Sequence, residues 1–243
     1  MTAVSTHIFS TMGTVASVRV GPDADVADVI AELKDSFDTI EDTFSLYLDG
    51  SELSRMARGE IALWQAGPRV LDAYAQALDW RTATNGTFSP HRPDEVIDLS
   101  GIVKAIAIEN AGRILDGSQP NWLVTVGGDV LSRGTNVGLP WRCAIVDPAD
   151  RAALLSVAEL QPDRRAVATS GTSERGEHVW RSTPDSSFCQ VTVTASDIVT
   201  ADVLATALLS GGRSDLDGMV ARFDVGVLAV TRDGRLYGTP SGL

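Results

Sequence analysis

The sequence has little positive charge and only two lysines, Lys34 and Lys104. Its 243 residues hold 20 Lys and Arg against 32 Asp and Glu, so the formal net charge is −12. Proteins bind nucleic acids and anionic lipid surfaces through clustered Lys and Arg, and this balance therefore argues against both as partners. An anionic small ligand would need a metal ion, a helix N-terminus or a few well-placed cations.

Cysteines and long apolar segments are also scarce. Cys143 and Cys189 lie in apolar, strand-like runs without C-x-x-C spacing, which predicts buried free thiols rather than a disulfide or a zinc site. The first ten residues lack a basic segment followed by an apolar run, and no later segment has the apolar length of a membrane span. We therefore expect a cytoplasmic protein without membrane insertion.

The hydrophobic pattern alternates between helical and strand-like segments. It predicts helices over residues 25–44, from Pro68 to about Asn85, from Ser100 to Asp116 and over roughly 200–210. In the helix from Pro68, the side chains Val70, Leu71, Tyr74 and Leu78 are expected to point inward. Strands are predicted in pairs over residues 6–20 and 225–238, and singly over 122–126, 141–146, 154–160, 165–169 and 188–194.

These segments do not follow the regular strand-helix rhythm of a doubly wound parallel sheet, so the predicted class is α+β. The sequence contains no repeat and no low-complexity linker. We expect a single domain over residues 1–243, with a possible seam between two lobes near residues 90–97.

The segment from Asp98 to Lys104 has the pattern of an anion site. An extended acidic residue leads through Gly101 into the first turn of a helix, where unpaired N–H groups and the positive end of the helix dipole favour a phosphate. Lys104 adds a positive charge one turn later. The alternative is a plain helix N-cap followed by a solvated lysine, since short glycine-containing motifs have many false positives.

A second candidate site lies in the helix near residues 200–210. Asp202 and Thr206 are four residues apart and therefore share one helix face, where two hard oxygens can bind Mg²⁺. Alternatively, Asp202 stabilises the helix N-terminus and Thr206 bonds back to a carbonyl. Gly127-Gly128-Asp129 follows a strand and is interpreted as an ordinary turn.

Taken together and in order, the motifs resemble the FAD:protein FMN transferases, also called the ApbE family. The resemblance covers nearly the whole chain. It rests on Met12-Gly13-Thr14, Phe44-Ser45-Leu46-Tyr47, Ser51 to Arg55, Gly86 to Pro90, Asp98 to Lys104, Gly127-Gly128-Asp129, Ala168 to Gly171, His178 and Ala201 to Ala207.

The resemblance implies an α+β, ApbE-like fold with mixed or antiparallel sheets, packed helices and an FAD cleft between two lobes. It implies Mg²⁺-dependent transfer of FMN from FAD, the substrate, to a Thr or Ser hydroxyl of an acceptor flavoprotein, with release of AMP. Residues expected to line the FAD site are Met12, Tyr47, Thr87, Phe88, Ser89, Asp98 and Lys104. Gly101, Asp202 and Thr206 are expected to bind Mg²⁺, and His178 to assist deprotonation of the acceptor.

Several positions depart from the family pattern. Ser89 replaces an aspartate, Ala105 replaces a glycine, the segment after His178 lacks Asp-Pro-x-Thr-Gly, and the stretch between Pro90 and Asp98 is short. These departures leave two alternatives open. One is an FAD-binding protein or Mg²⁺-dependent FAD pyrophosphatase that does not modify proteins, and the other is a non-enzymatic partner-binding module.

Overall fold

The computed structural model describes residues 4–21, 25–171 and 188–239. The strands in these ranges are β1 Ser5–Thr11, β2 Thr14–Val20, β3 Trp122–Val126, β4 Asp129–Arg133, β5 Trp141–Val146, β6 Leu154–Leu160, β7 Ala166–Gly171, β8 Phe188–Ala195, β9 Gly226–Thr231 and β10 Leu236–Gly238. The α-helices are α1 Ala27–Phe44, α2 Glu52–Ala57, α3 Pro68–Ala83, α4 Ser100–Asp116, α5 Ile198–Gly211 and α6 Arg213–Arg222, and a 3₁₀ turn spans Leu63–Gln65. The predicted α+β class is confirmed.

Eight strands form the main sheet in the order β1-β2-β3-β4-β7-β8-β9-β10, and β5 and β6 form a separate two-stranded sheet. Each of these strand pairs is antiparallel. Successive side chains of a strand point to opposite faces, so the central strands contribute to two cores. In β3, Val124 lies in the core with the helices, whereas Leu123 lies in a smaller core with residues of β5 and β6.

Helix α5 is apolar on almost all sides and is correspondingly buried. Apart from Thr200 and Thr206, each of its residues is buried. The helix packs against β7, β8 and α4. Helix α1 is amphipathic, and its buried side chains recur at spacings of three and four residues, as the sequence pattern predicts: Ile30, Leu33, Phe37, Ile40 and Phe44.

The structure differs from the sequence-based prediction in four places. Strand β4 and helices α2 and α6 were not predicted. Leu71, expected to point inward, is 38% exposed. The buried line of α3 runs through Val70, Ala73 and Ala77. Because successive helix residues are rotated by about 100°, Leu71 falls outside that line.

The described helices do not meet the requirements of a membrane span. None of them combines enough length with enough apolar character to cross a bilayer.

Candidate functional site

Two hairpin turns and the end of a strand meet at one end of the main sheet. Met12 and Gly13 connect β1 to β2, and Gly127 and Gly128 connect β3 to β4. All four residues have positive φ angles, between 48° and 97°. Positive φ at both central residues is the geometry of a type I′ hairpin turn, which explains the glycines. The amide of Gly127 donates to the Val15 carbonyl at 3.2 Å, so the two turns lie side by side.

The second turn delivers a buried carboxylate that the sequence did not single out. Asp129 is 0% exposed, and its Oδ2 lies 2.5 Å from the Nζ of Lys104 on α4. Its Oδ1 accepts a hydrogen bond of 3.0 Å from the amide of Thr169 near the end of β7. The sequence pattern of this segment was interpreted as an ordinary turn, and no role was predicted for the Asp129 carboxylate. The signal that was available is the Gly-Gly pair between two apolar runs, which predicts a tight hairpin with Asp129 at the sheet end.

Lys104 also faces a second buried carboxylate. The Oδ1 of Asp202 on α5 lies 3.6 Å from Nζ of Lys104. The Asp202 residue is 2% exposed, while the Lys104 side chain keeps 20% of its surface accessible. We call Lys104, Asp129 and Asp202 the Lys104 cluster. Its members come from α4, β4 and α5, and the fold brings these elements together at one point.

Thr206 lies one turn beyond Asp202 on α5, as the four-residue spacing predicts. Its hydroxyl is 3.1 Å from the hydroxyl of Ser170 on β7. The candidate Mg²⁺ donors Asp202 and Thr206 are therefore a buried carboxylate and a half-buried hydroxyl on one helix. Carboxylate and hydroxyl oxygens are hard donors, which is the chemistry that Mg²⁺ prefers. In the described ranges, no three His, Cys, Asp or Glu side chains form a metal-binding group.

The start of α4 is organised as the sequence pattern suggests. The Oδ1 of Asp98 accepts a hydrogen bond of 2.9 Å from the amide of Ser100. Gly101 is in close contact with the buried ring of Phe88, because a Cβ atom on Gly101 would lie only 3.0 Å from Cε2 of that ring. Gly101 precedes Lys104 by three residues and thus lies on the same side of the helix.

The remaining predicted FAD-site residues make local contacts. The amide of Met12 donates to Oε2 of Glu41 at 2.8 Å, which fixes the first hairpin turn to α1. The Thr87 hydroxyl donates to the Thr84 carbonyl at 2.8 Å. The Ser89 hydroxyl accepts a hydrogen bond from the His91 amide at 3.1 Å.

Tyr47 lies between α1 and α2 and is 88% exposed. Within the part of the chain that the structure describes, no hydrogen bond or ion pair joins Tyr47 or Ser89 to the Lys104 cluster. The predicted catalytic residue His178 lies outside the described residues. The ligand roles of all these residues stay predictions.

The two cysteines are free and half-buried. Burial, assisted by the nearby Asp129 carboxylate, raises the pKa of the Cys143 thiol to about 11. Burial also raises the pKa of Cys189. Both thiols therefore stay protonated near neutral pH, which does not suit a nucleophile.

Comparison with known sequences finds a family and named relatives. The model of the ApbE family matches residues 12–92 and 89–230. The chain is 30% identical over 162 residues to the FAD:protein FMN transferase of Escherichia coli (strain K12), covering 60% of this chain and 46% of that protein. It is 29% identical over 172 residues to the protein of the same name from Rhodobacter capsulatus, covering 65% of this chain and 32% of the relative. The matches thus span less than half the length of these relatives.

Solved structures show the same fold. The flavin transferase ApbE from Vibrio cholerae superposes with a TM-score of 0.81 at 23% identity, covering 98% of both chains. The ApbE protein from Thermotoga maritima superposes with a TM-score of 0.82 at 20% identity, covering 98% of this chain and 97% of that one. The predicted ApbE-like fold is therefore confirmed.

Proposed function

This chain belongs to the ApbE family, and on that basis we propose that it transfers FMN from FAD to a Thr or Ser hydroxyl of an acceptor flavoprotein and releases AMP. The names of its relatives support the class of reaction. The single observation that carries the proposal is the position of Lys104. Its ammonium lies between two buried carboxylates at the start of α4, where a helix can receive a phosphate.

The pyrophosphate of FAD would bind at the N-terminus of α4. The amides of Ile102 and Val103 donate to the Leu99 carbonyl. The attraction for an anion would therefore come mainly from the partial positive charge of the helix dipole. Asp98 accepts a hydrogen bond from the amide of Ser100, and Gly101 allows the Phe88 ring to pack closely against the first turn because it has no side chain. Lys104 would offset negative charge that develops on the phosphoryl oxygens. Met12, Tyr47, Thr87, Phe88 and Ser89 are the further residues we assign to the FAD site.

Asp202, Thr206 and the carbonyl of Gly101 would hold Mg²⁺. When bound, the ion would withdraw charge from the pyrophosphate and make AMP a better leaving group. The residues present fit this ion, since all three donors are oxygens and Asp202 is a buried carboxylate of the Lys104 cluster.

The reaction forms one bond and breaks another at the phosphorus atom of the FMN half. The acceptor hydroxyl oxygen attacks that phosphorus, the bond to the AMP oxygen breaks, and the hydroxyl proton leaves to a base, for which we propose His178. The protein has little covalent chemistry to perform, so positioning and charge neutralisation should supply most of the rate enhancement.

The test is incubation of the purified protein with FAD and a candidate acceptor flavoprotein, with MgCl₂ or with EDTA. We expect AMP to appear only with Mg²⁺ and the acceptor to gain the mass of FMN. AMP and free FMN with an unmodified acceptor would instead support the FAD pyrophosphatase, which the altered positions Ser89 and Ala105 and the segment after His178 keep as the second candidate. Absence of FAD binding by calorimetry would support the partner-binding module. The cytoplasmic location expected from the sequence stays a prediction.

A further inference from the structure

The Thr206 hydroxyl on α5 is oriented differently from the threonine hydroxyls of α1 and α3. The hydroxyls of Thr39, Thr43 and Thr82 each donate to the carbonyl four residues earlier, at 2.7, 2.8 and 3.1 Å. The Thr206 hydroxyl instead lies 3.1 Å from the hydroxyl of Ser170, and in the described part of the chain it makes no bond back to a helix carbonyl. Its orientation is therefore determined by a residue outside its own helix.

Ser170 lies near the end of β7, in a segment of the family pattern that has no role in the reaction proposed above. It follows Ala166 and Ala168 at intervals of two residues, and both alanines lie in the core with the helices. Because alternate residues of a strand share a face, the Ser170 side chain points toward the same layer. Its backbone pairs with Val191 of β8. The sheet therefore presents this hydroxyl to α5.

A hydroxyl oxygen binds a metal ion through a lone pair and keeps its proton, which must point away from the cation toward an acceptor. The Oγ of Ser170, 3.1 Å from Oγ1 of Thr206, is in place to be that acceptor. We propose that Ser170 is a positioning residue that accepts a hydrogen bond from Thr206 and thereby leaves a lone pair of Thr206 for Mg²⁺. The inference rests on the proposed function, in which Thr206 helps to hold that ion.

The expected effect of losing Ser170 follows from the two ways in which a helical threonine can be oriented. Threonine in a helix divides between two side-chain rotamers, because one of them lets its hydroxyl bond to a carbonyl of the preceding turn. Without Ser170, Thr206 should return to that carbonyl, as Thr39 and Thr43 do in α1. The hydroxyl would then be held on its own helix, and its affinity for a cation should fall.

The variant Ser170→Ala removes the acceptor, and Mn²⁺ is the probe because it favours the same oxygen ligands as Mg²⁺. The protein is titrated with MnCl₂ in the absence of FAD, and free Mn²⁺ is measured by electron paramagnetic resonance. We expect a Kd that is about tenfold weaker, as is typical when the partner of a metal ligand is lost. Ser170→Thr keeps the hydroxyl and should retain the Kd. An unchanged Kd in Ser170→Ala overturns the proposal.

The variant Thr206→Val shows whether Ser170 acts through Thr206. It should itself bind Mn²⁺ more weakly than the unmodified protein, and an equal Kd would overturn the proposal. In this background there is no hydroxyl to orient, so the further change Ser170→Ala should leave the Kd unchanged. A further loss of the same size would mean that Ser170 binds the ion directly or only supports the fold, and would contradict the proposal.

The matched control is Thr192→Val. Thr192 lies on β8 and is 0% exposed, and its hydroxyl is 2.9 Å from the hydroxyl of Thr169, the residue before Ser170. The change therefore breaks a neighbouring pair of hydroxyls and leaves Thr206 untouched. Its Kd for Mn²⁺ should not change. A loss as large as that in Ser170→Ala would show that any broken pair in this sheet weakens the site, and the proposal would fail.

The same titrations separate this inference from the proposed function. If the unmodified protein binds neither Mn²⁺ nor Mg²⁺ and releases no AMP from FAD, the proposed function fails and this inference fails with it. If the unmodified protein binds the ions and Ser170→Ala binds them equally tightly, only this inference fails.

Discussion

At the scale of single residues, the surroundings of Lys104 explain why this position holds a lysine, although most basic residues of the chain are arginines. Only two lysines occur among its 20 basic residues. The space between Asp129 and Asp202 is buried and receives a compact ammonium, whereas the wide planar guanidinium of an arginine favours bidentate, side-on contact. The other lysine, Lys34, belongs to a different contact. Its Nζ lies over the ring of Phe9, 5.6 Å from the ring centroid.

Asp202→Ala should remove Mg²⁺-dependent turnover while leaving the protein folded. The methyl group cannot bind a metal ion, and Lys104 keeps its ion pair with Asp129 at 2.5 Å, so no buried ammonium loses its closest partner. AMP release from FAD with MgCl₂ is the measurement, and circular dichroism verifies folding. Full activity of this variant would overturn the metal assignment.

The Cys143 thiol should react slowly with iodoacetamide at neutral pH. The reaction rate should increase as the pH rises toward the pKa of this thiol, about 11. Only the thiolate reacts, and burial next to the Asp129 carboxylate disfavours the negative charge, so the pKa moves upward from its usual value of 9.0. The rate is measured in Cys189→Ser, which leaves Cys143 as the one thiol. It should still be rising at pH 10, and a plateau near pH 9 would contradict the burial of this thiol.

At the scale of elements, the ends of helices and strands determine where the site forms. The turns at Met12-Gly13 and Gly127-Gly128 lie at one end of the main sheet, and α4 and α5 begin near that end. Helix α5 starts at a capped residue, because the Asp197 carboxylate accepts hydrogen bonds from both the amide and the hydroxyl of Thr200, each at 2.8 Å. That cap sets the first turn of the helix that carries Asp202.

Asp197→Ala should lower the free energy of unfolding by about 1 kcal/mol, the usual cost of losing an N-cap. The amides of the first helical turn lose their acceptor, and α5 has few other polar groups to replace it. Asp197→Asn is the control, since asparagine caps helices as well as aspartate does. Urea unfolding measures both, and equal stability of the alanine variant and the unmodified protein would show that the cap contributes nothing.

At the scale of the whole molecule, the main sheet joins two cores. In β4, Leu131 belongs to the core with the helices, and the adjacent Val130 belongs to the smaller core with β5 and β6. The same strands therefore contribute side chains to both cores. Loss of packing in one core should disrupt these strands and with them the packing of the other core. We expect the layers to unfold together.

The substitution Leu204→Ala, in the core with the helices, tests whether the two cores unfold together. Leu204 is 0% exposed on α5, and a buried Leu→Ala change typically costs about 2–5 kcal/mol through lost burial and the remaining cavity. Urea unfolding followed by far-UV circular dichroism should show a single transition moved to lower urea. Leu154→Ala, at a site 58% exposed on β6, should shift it by less than about 0.5 kcal/mol. Two separate transitions, of which only one moves, would contradict the shared-sheet account.

The sequence by itself determined the local elements and the family. The three- and four-residue spacings of α1, the apolar content of α5, and the glycines of the hairpin turns are local signals, because side-chain pattern and turn geometry depend on neighbours in the chain. The ordered motifs determined the ApbE resemblance. Strand β4 escaped prediction because its sequence, Asp129–Arg133, has only two apolar residues, Val130 and Leu131, and so lacks the apolar run by which the other strands were predicted.

Only the tertiary structure decided what Asp129 does. Its contact with Lys104 and its hydrogen bond from Thr169 join residues of β4, α4 and β7, and these depend on which strands pair and in which register. A local pattern carries no information about that pairing, since any antiparallel neighbour would satisfy the backbone of β4 equally well. The sequence therefore indicated Lys104 and Asp202 as separate candidates, and long-range strand pairing and helix packing made them one cluster around a third charge.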